Sequence, residues 1–294
     1  MTLEASQLDV GDKFKRFNTE HLVSAWREAH YASQAAAELG KSWGEAQDDD
    51  SHSSFAWFRN EDGRGLEGVP SVDKGYVCRL KFEGLELSVH DAKSSGGRTV
   101  ADLSLAGRNF ADAMEWVGET CEREIGPRRQ ASKPAPDLPM HALASGATFA
   151  DDPEGFNDLA DVYGATALII DKLRESDPRF DEPRCWPHHF DLATLAVVAN
   201  GDDGSMAKTI GFGLTPPDSV DDAGYWYVSP WAKDGVSGSH EYPPLADGYW
   251  LDRGDGIKMA VLPVSAVSGE NDRSQRLAGF VADAINACLG ALDV

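Results

Sequence analysis

Apolar residues recur at helical spacing in four places, and alternate along much of the chain between them. Leu22, Ala25, Trp26, Ala29, Ser33 and Ala36 fall on one stripe, so a helix is expected over 19–39, with Gly40 as the glycine that ends it. Phe110, Met114, Val117 and Cys121 predict a second helix over 109–124. Leu159, Val162, Tyr163, Thr166, Ile169, Ile170 and Leu173 predict a third over 154–175. The last carries Leu277, Phe280, Val281, Ala284, Ile285, Cys288 and Leu289, and starts at Asp272 as N-cap with Gln275 three residues on.

Alternating segments predict the strands. Residues 75–82 and 85–90 flank Glu83-Gly84 and read as an antiparallel hairpin. Residues 55–58, 100–105, 193–200, 206–214, 225–228, 249–251 and 257–262 are further strands, with turns at Asn60-Glu61-Asp62-Gly63 and Gly201-Asp202-Asp203-Gly204. The whole predicts an α+β protein of two similar halves, each helix, antiparallel strands, helix. The halves are 1–125 and 154–294, joined by a connection at 126–153 that holds Pro127, Pro134, Pro136, Pro139 and Pro153. A diverged internal duplication is one reading of this order. Leu22 and Trp26 would answer Leu159 and Tyr163, and Phe55-Ala56-Trp57 would answer Phe190-Asp191-Leu192.

Length and composition support a packed core, since 41% of the 294 residues are hydrophobic. The net charge of −22 repels phosphate backbones and anionic lipid, so neither nucleic acid nor a membrane surface is expected as a partner. No apolar run is long enough to span a bilayer, and the first residues show no secretory pattern, so a cytoplasmic protein is expected. Cys78, Cys121, Cys185 and Cys288 have no metal-binding spacing, and Cys121 and Cys288 read as buried thiols on helix faces.

The densest polar chemistry is Cys185-Trp186-Pro187-His188-His189-Phe190-Asp191-Leu192. If it is extended, His189 and Asp191 share one face, as an acid/base dyad or two metal ligands, with His188 on the other. Satisfied hydrogen bonds at a strand end are the ordinary alternative. His52 stands at the start of the corresponding strand in the first half, while His30 and Gln34 are neighbours on the first helix. Trp226, Trp231, Tyr242 and Trp250 lie among acidic residues, which suits sugars or cations, although packing is the commoner use of such rings. His21, His90, His141 and His240 have no companions and are expected at the surface. No phosphate-binding loop, dinucleotide fingerprint, nucleophile elbow or zinc-protease motif is present.

Trp186-Pro187-His188-His189-Phe190-Asp191-Leu192-Ala193 resembles the Trp-Pro-x-His-Phe-Asp-x-Ala landmark of a family of uncharacterised bacterial proteins. Gly211-Phe212-Gly213-Leu214-Thr215-Pro216-Pro217-Asp218 is similar to that family's Gly-x-Ser-Pro-Gly-Asp loop, with Thr215 and Pro217 departing from it. Tyr225-Trp226-Tyr227-Val228-Ser229-Pro230-Trp231 is similar to its Tyr-x-Tyr-Val-x-Pro-Trp strand. The resemblance implies no activity, but it favours His189, Asp191, Asp218 and Trp231 as site residues.

Three functional classes follow. The first is small-molecule binding at a polar cleft between the halves, with His30, Gln34, His188, Asp218, Trp226, Trp231 and Trp250 as ligand contacts. The second is an acid/base or metal-assisted hydrolase using His189, Asp191 and His52, for which a divalent metal would be the cofactor. The third is a structural or assembly protein. The sequence sets neither the oligomeric state nor whether the protein is an enzyme.

Overall fold

The structure, a computed structural model, describes residues 2–94, 97–132, 138–233, 242–254, 257–269 and 271–294. In chain order the elements are α1 (Ala5–Leu8), α2 (Thr19–Trp43), β1 (Phe55–Asn60), β2 (Gly63–Gly68), β3 (Tyr76–Lys81), β4 (Glu86–Asp91), β5 (Arg98–Ser104) and α3 (Phe110–Glu124). There follow α4 (Pro153–Ser176), β6 (Arg184–Cys185), β7 (Leu192–Asn200), β8 (Met206–Thr215), β9 (Tyr225–Ala232), β10 (Tyr249–Asp252), β11 (Lys258–Pro263) and α5 (Arg273–Ala291). The class is α+β, as the periodicities indicate. No helix among the described residues is long and apolar enough to cross a membrane.

Two compact units are interleaved along the chain. One, the α2 unit, comprises Glu20–Ala160 and Arg184–Asp191; the other, the α5 unit, comprises Met1–Thr19, Asp161–Pro183 and Leu192–Val294. Within the α2 unit the antiparallel strands run β6-β1-β2-β3-β4-β5, and within the α5 unit they run β10-β11-β9-β8-β7. The first order follows the chain from β1 onward. In the second, the fourth strand lies outside the fifth, so the units share only a leading helix, a three-stranded meander and a closing helix. That difference counts against a simple duplicated unit.

Helix α2 does not end at Gly40. A Cβ at Gly40 would overlap the carbonyl oxygen of His52, so this glycine marks close approach of the Ser51–Ser53 turn to the helix. Every residue from His30 to Gly40 is buried, well beyond the single stripe expected, because the many alanines let neighbours approach on all sides. The open carbonyls at the helix end find partners elsewhere. Gln130 Nε2 donates to Lys41 O (2.6 Å), Arg129 N to Ser42 O (2.9 Å) and Val72 N to Trp43 O (3.3 Å). Trp43 Nε1 donates to Gly126 O (2.9 Å), and Arg128 lies 5.3 Å from the Trp43 ring while pairing with the buried carboxylate of Glu38. Residues 126–130, expected as free connection, therefore strap the end of α2. Pro134 and Pro136 lie outside the described residues.

The β3–β4 hairpin forms as expected, with Cys78 opposite Val89 and Leu80 opposite Leu87. Strand β2 was not legible, because Gly63, Gly65 and Gly68 erase its alternation. Gly65 is needed there: a Cβ would overlap the Leu80 carbonyl on β3. Asn109 caps α3 by accepting from Asp112 N (2.9 Å), and Ala113, Val117 and Cys121 face the core. At α5 the expected cap is absent. The side chain of Asp272 makes no cap hydrogen bond, while Ser274 Oγ accepts from Val10 N (3.0 Å) and Gly11 N (2.9 Å).

Alanine normally stabilises a helix interior by about 1 kcal/mol relative to glycine. Gly40→Ala is expected to do the opposite and lower the urea midpoint, because the added methyl meets backbone rather than a movable side chain. An unchanged or higher midpoint would show that Gly40 is merely a poor helix residue.

Candidate functional site

The central segment is a turn, not the strand expected. After Cys185 in β6, the amides of His189 and Phe190 both donate to the carbonyl of Trp186 (3.2 and 2.6 Å), and Phe190 takes a left-handed backbone with φ +55°. Pro187 has no N–H to give a strand ladder, and its fixed φ favours the turn. Alternation therefore does not govern 186–191, and the argument that paired His189 with Asp191 on one strand face fails.

Helix α2 holds the turn from beneath. His30 Nε2 lies 2.9 Å from the Pro187 carbonyl, and Gln34 Nε2, one turn on, donates to the same oxygen. The Phe190 ring stacks on His30 at 5.1 Å and 8°, and meets Phe82 edge-on at 6.3 Å. Lys41 Nζ donates to Gln34 Oε1 (3.3 Å). His30 is 5% exposed and Gln34 4%. Both are thus committed to positioning the turn rather than to a ligand. Burial lowers the His30 pKa to about 4 against a raising effect of the Pro187 carbonyl, with His189 and His188 lowering it further. The ring is therefore neutral at pH 7, with its Nε2 proton on Pro187.

On its outer side the turn presents His188, half-buried, and His189, exposed, with ring centroids 4.3 Å apart. Burial, then the neighbouring His189, lowers the His188 pKa, while Asp50 acts in the opposite sense and Lys41 lowers it. Lys41 is itself lowered by burial, opposed by Glu38 and Asp50. His30, Gln34, Lys41, His188 and His189 thus come together on one face of α2. His52 lies by the next stretch of that helix, its Nδ1 accepting from Gln47 N (3.2 Å). Lys41 escaped the sequence reading, although it stands seven residues after Gln34 and so on the same helix face. Asp191 is half-buried, and its charge adds to burial in raising the Cys185 thiol far above its ordinary range, which leaves that cysteine unreactive.

The remaining candidates belong to the α5 unit. Trp226 is fully buried, its Nε1 donating to Thr166 Oγ1 (2.9 Å) and its ring lying edge-on to Phe14 at 5.7 Å. It is a core residue, not a ligand contact. Trp231, five residues along the same strand, points to the opposite face and is 45% exposed. Trp250 Nε1 donates to Pro243 O (2.7 Å) beside Tyr242. Asp218 accepts from Tyr225 Oη (3.0 Å) and Val220 N (2.7 Å), which ties its own loop. These four residues do not line one aromatic cleft.

Of the histidines expected at the surface, His21 is half-buried near Glu154 and His141, also half-buried, accepts from Leu143 N (3.4 Å). His90 is buried instead, and His240 lies outside the described residues. All four cysteines are free and buried. Among the described residues no group of three His, Cys, Asp or Glu side chains is placed to hold a metal ion. Comparisons with protein-family models, with curated proteins and with solved structures found no match.

Trp226→Ala is expected to cost about 3–5 kcal/mol of unfolding free energy, the usual cost of emptying a buried indole site. Trp231→Ala should fall within about 0.5 kcal/mol of the parent. Chemical denaturation of both variants checks the assignment, and equal effects would contradict it.

Proposed function

We propose that the protein binds a small polar molecule at the surface of the α2 unit where His188 and His189 stand beside Lys41 and Asp50. The observation that carries this reading is the support beneath the histidine pair. Two α2 side chains fix one carbonyl, a stacked ring fixes the next residue but two, and that residue holds a left-handed backbone that a phenylalanine rarely adopts. Backbone strain of this kind costs on the order of 1–3 kcal/mol and collects where a binding surface is held in shape. The His188 ring, its pKa lowered by burial, is neutral at pH 7 and offers both a donor and an acceptor, which suits an uncharged or weakly charged polar ligand more than a macromolecule.

Acid/base hydrolysis is the second reading, and the lowered pKa of His188 favours it, since a ring already neutral near pH 7 can accept a proton. The metal-assisted form has no ligand set among the described residues. The diverged duplication rests, in this reading, on the leading helix and three-stranded meander that the two units have in common.

Thermal-shift screening against small sugars, amines, nucleosides and organic acids tests the binding reading. One class should raise the melting temperature of the parent, and His189→Ala should weaken its calorimetric affinity about tenfold, the worth of one lost hydrogen bond. If every ligand found binds His188→Ala and His189→Ala as tightly as the parent, the site lies elsewhere.

A further inference from the structure

A second polar cluster lies in the α2 unit and goes beyond the binding surface at His188 and His189. In β4, Leu87 and Val89 face the core, so Ser88 and His90 point to the opposite face of the sheet. Both are nonetheless nearly covered, at 7% and 5% exposed. Ser88 Oγ lies 2.8 Å from His90 Nε2, and Thr99 Oγ1 of β5 lies 3.2 Å from His90 Nδ1. With the ring proton on Nδ1, Ser88 donates to Nε2 and Nδ1 donates to Thr99. That is the tautomer a hydroxyl nucleophile requires of its base.

A break in register produces this arrangement. Val89 pairs with Ala101, yet His90 pairs with Thr99, so Val100 is skipped by a β-bulge. Without the bulge Val100 would stand opposite His90 and leave Nδ1 facing a hydrocarbon. Bulges re-aim side chains in this way beside functional sites. Ser88 on β4 stands in register with Arg79 on β3 and with Asp102 on β5, so the hydroxyl is flanked by a guanidinium, itself paired with Glu67 at 2.6 Å, and by a carboxylate. Burial lowers the His90 pKa first and Arg79 second, while Glu67, Asp62 and Glu86 oppose them. The free ring is therefore neutral at pH 7 and able to take a proton.

We propose that Ser88 and His90 form a nucleophile–base pair that cleaves small carboxylic esters, with Thr99 as the residue that positions the imidazole. Ser88 Oγ attacks the ester carbonyl carbon as its proton passes to His90 Nε2. The carbon–oxygen bond to the alcohol then breaks, and His90 returns the proton to the departing oxygen. Water, deprotonated by the same nitrogen, attacks the acyl-serine and releases the acid and the free hydroxyl. Thr99 and Asp102, the β5 neighbours of the pair, are exposed, so that is the side from which a small ester would have to enter.

The test is labelling of the full-length protein with an alkyl fluorophosphonate, which transfers its phosphonyl group to an activated serine with loss of fluoride, followed by intact mass and peptide mapping. One group is expected, on Ser88, and none in Ser88→Ala. His90→Gln should slow labelling at least about 100-fold, the lower bound for a lost general base. Thr99→Val should slow it roughly tenfold by freeing the other tautomer, and Thr99→Ser should restore it. The labelling rate should rise with pH and then level off, as His90 loses its proton. Hydrolysis of p-nitrophenyl acetate should follow the same order of variants. Folding of each variant is checked by circular dichroism, and Ser88→Ala and Thr99→Val decide the matter even if His90→Gln does not fold. A parent protein left unlabelled, a Ser88→Ala variant labelled like the parent, or a rate indifferent to Thr99 would overturn the proposal.

Discussion

One carbonyl oxygen organises the α2 unit. Pro187 turns its carbonyl toward α2, where a neutral imidazole and a carboxamide one helical turn apart both point at it. Each such bond contributes only about 1 kcal/mol net, but leaving the buried groups unmet would cost more. The stacking of Phe190 on His30 adds a second hold three residues along, so the turn is gripped at two points. What lies outside that grip follows from it. The half-buried His188 and the exposed His189 are carried on a backbone with little freedom to rearrange, and Lys41 reaches the same carboxamide from the far side.

The arrangement asks for an uncharged His30. Folding buries the ring and lowers its pKa to about 4, below the ordinary value near 6.5. The sign of the linkage is fixed by that direction: the folded state excludes a proton that the unfolded state accepts. The stability this ring contributes is present above pH 6.5 and is withdrawn as pH falls from there toward 4. Neighbouring His188 shares the direction of shift, so acid acts on this turn through two of its rings.

Much of this architecture could be read from residue spacing, and the failures have physical causes. The stripe from Leu22 to Ala36 placed α2, and the stripe of Phe110, Met114, Val117 and Cys121 placed α3. Gly40 misled because a glycine that ends a helix and one that admits a neighbouring backbone look alike in sequence. Strand β2 was invisible for the related reason that its glycines serve close pairing with β3. The segment after Cys185 leads into a strand and so reads as extended, whereas Pro187 bends it. Trp226 and Trp231 looked equivalent along the chain, yet an odd spacing on one strand sends one ring into the core and the other outward. His90 has no visible companion in the sequence because its partner on β5 is fixed by a bulge, and bulges leave no mark in a single sequence.

The most direct measurement is the titration of the His30 ring by nitrogen–proton correlation spectroscopy, assigned with a His30→Gln variant. A neutral ring protonated at Nε2 at pH 7, with a midpoint near 4, is the result this account predicts. A His30 that titrates near 6.5, or carries its proton on Nδ1 at neutral pH, would mean that the Pro187 carbonyl is not its partner and that the turn is held by something else.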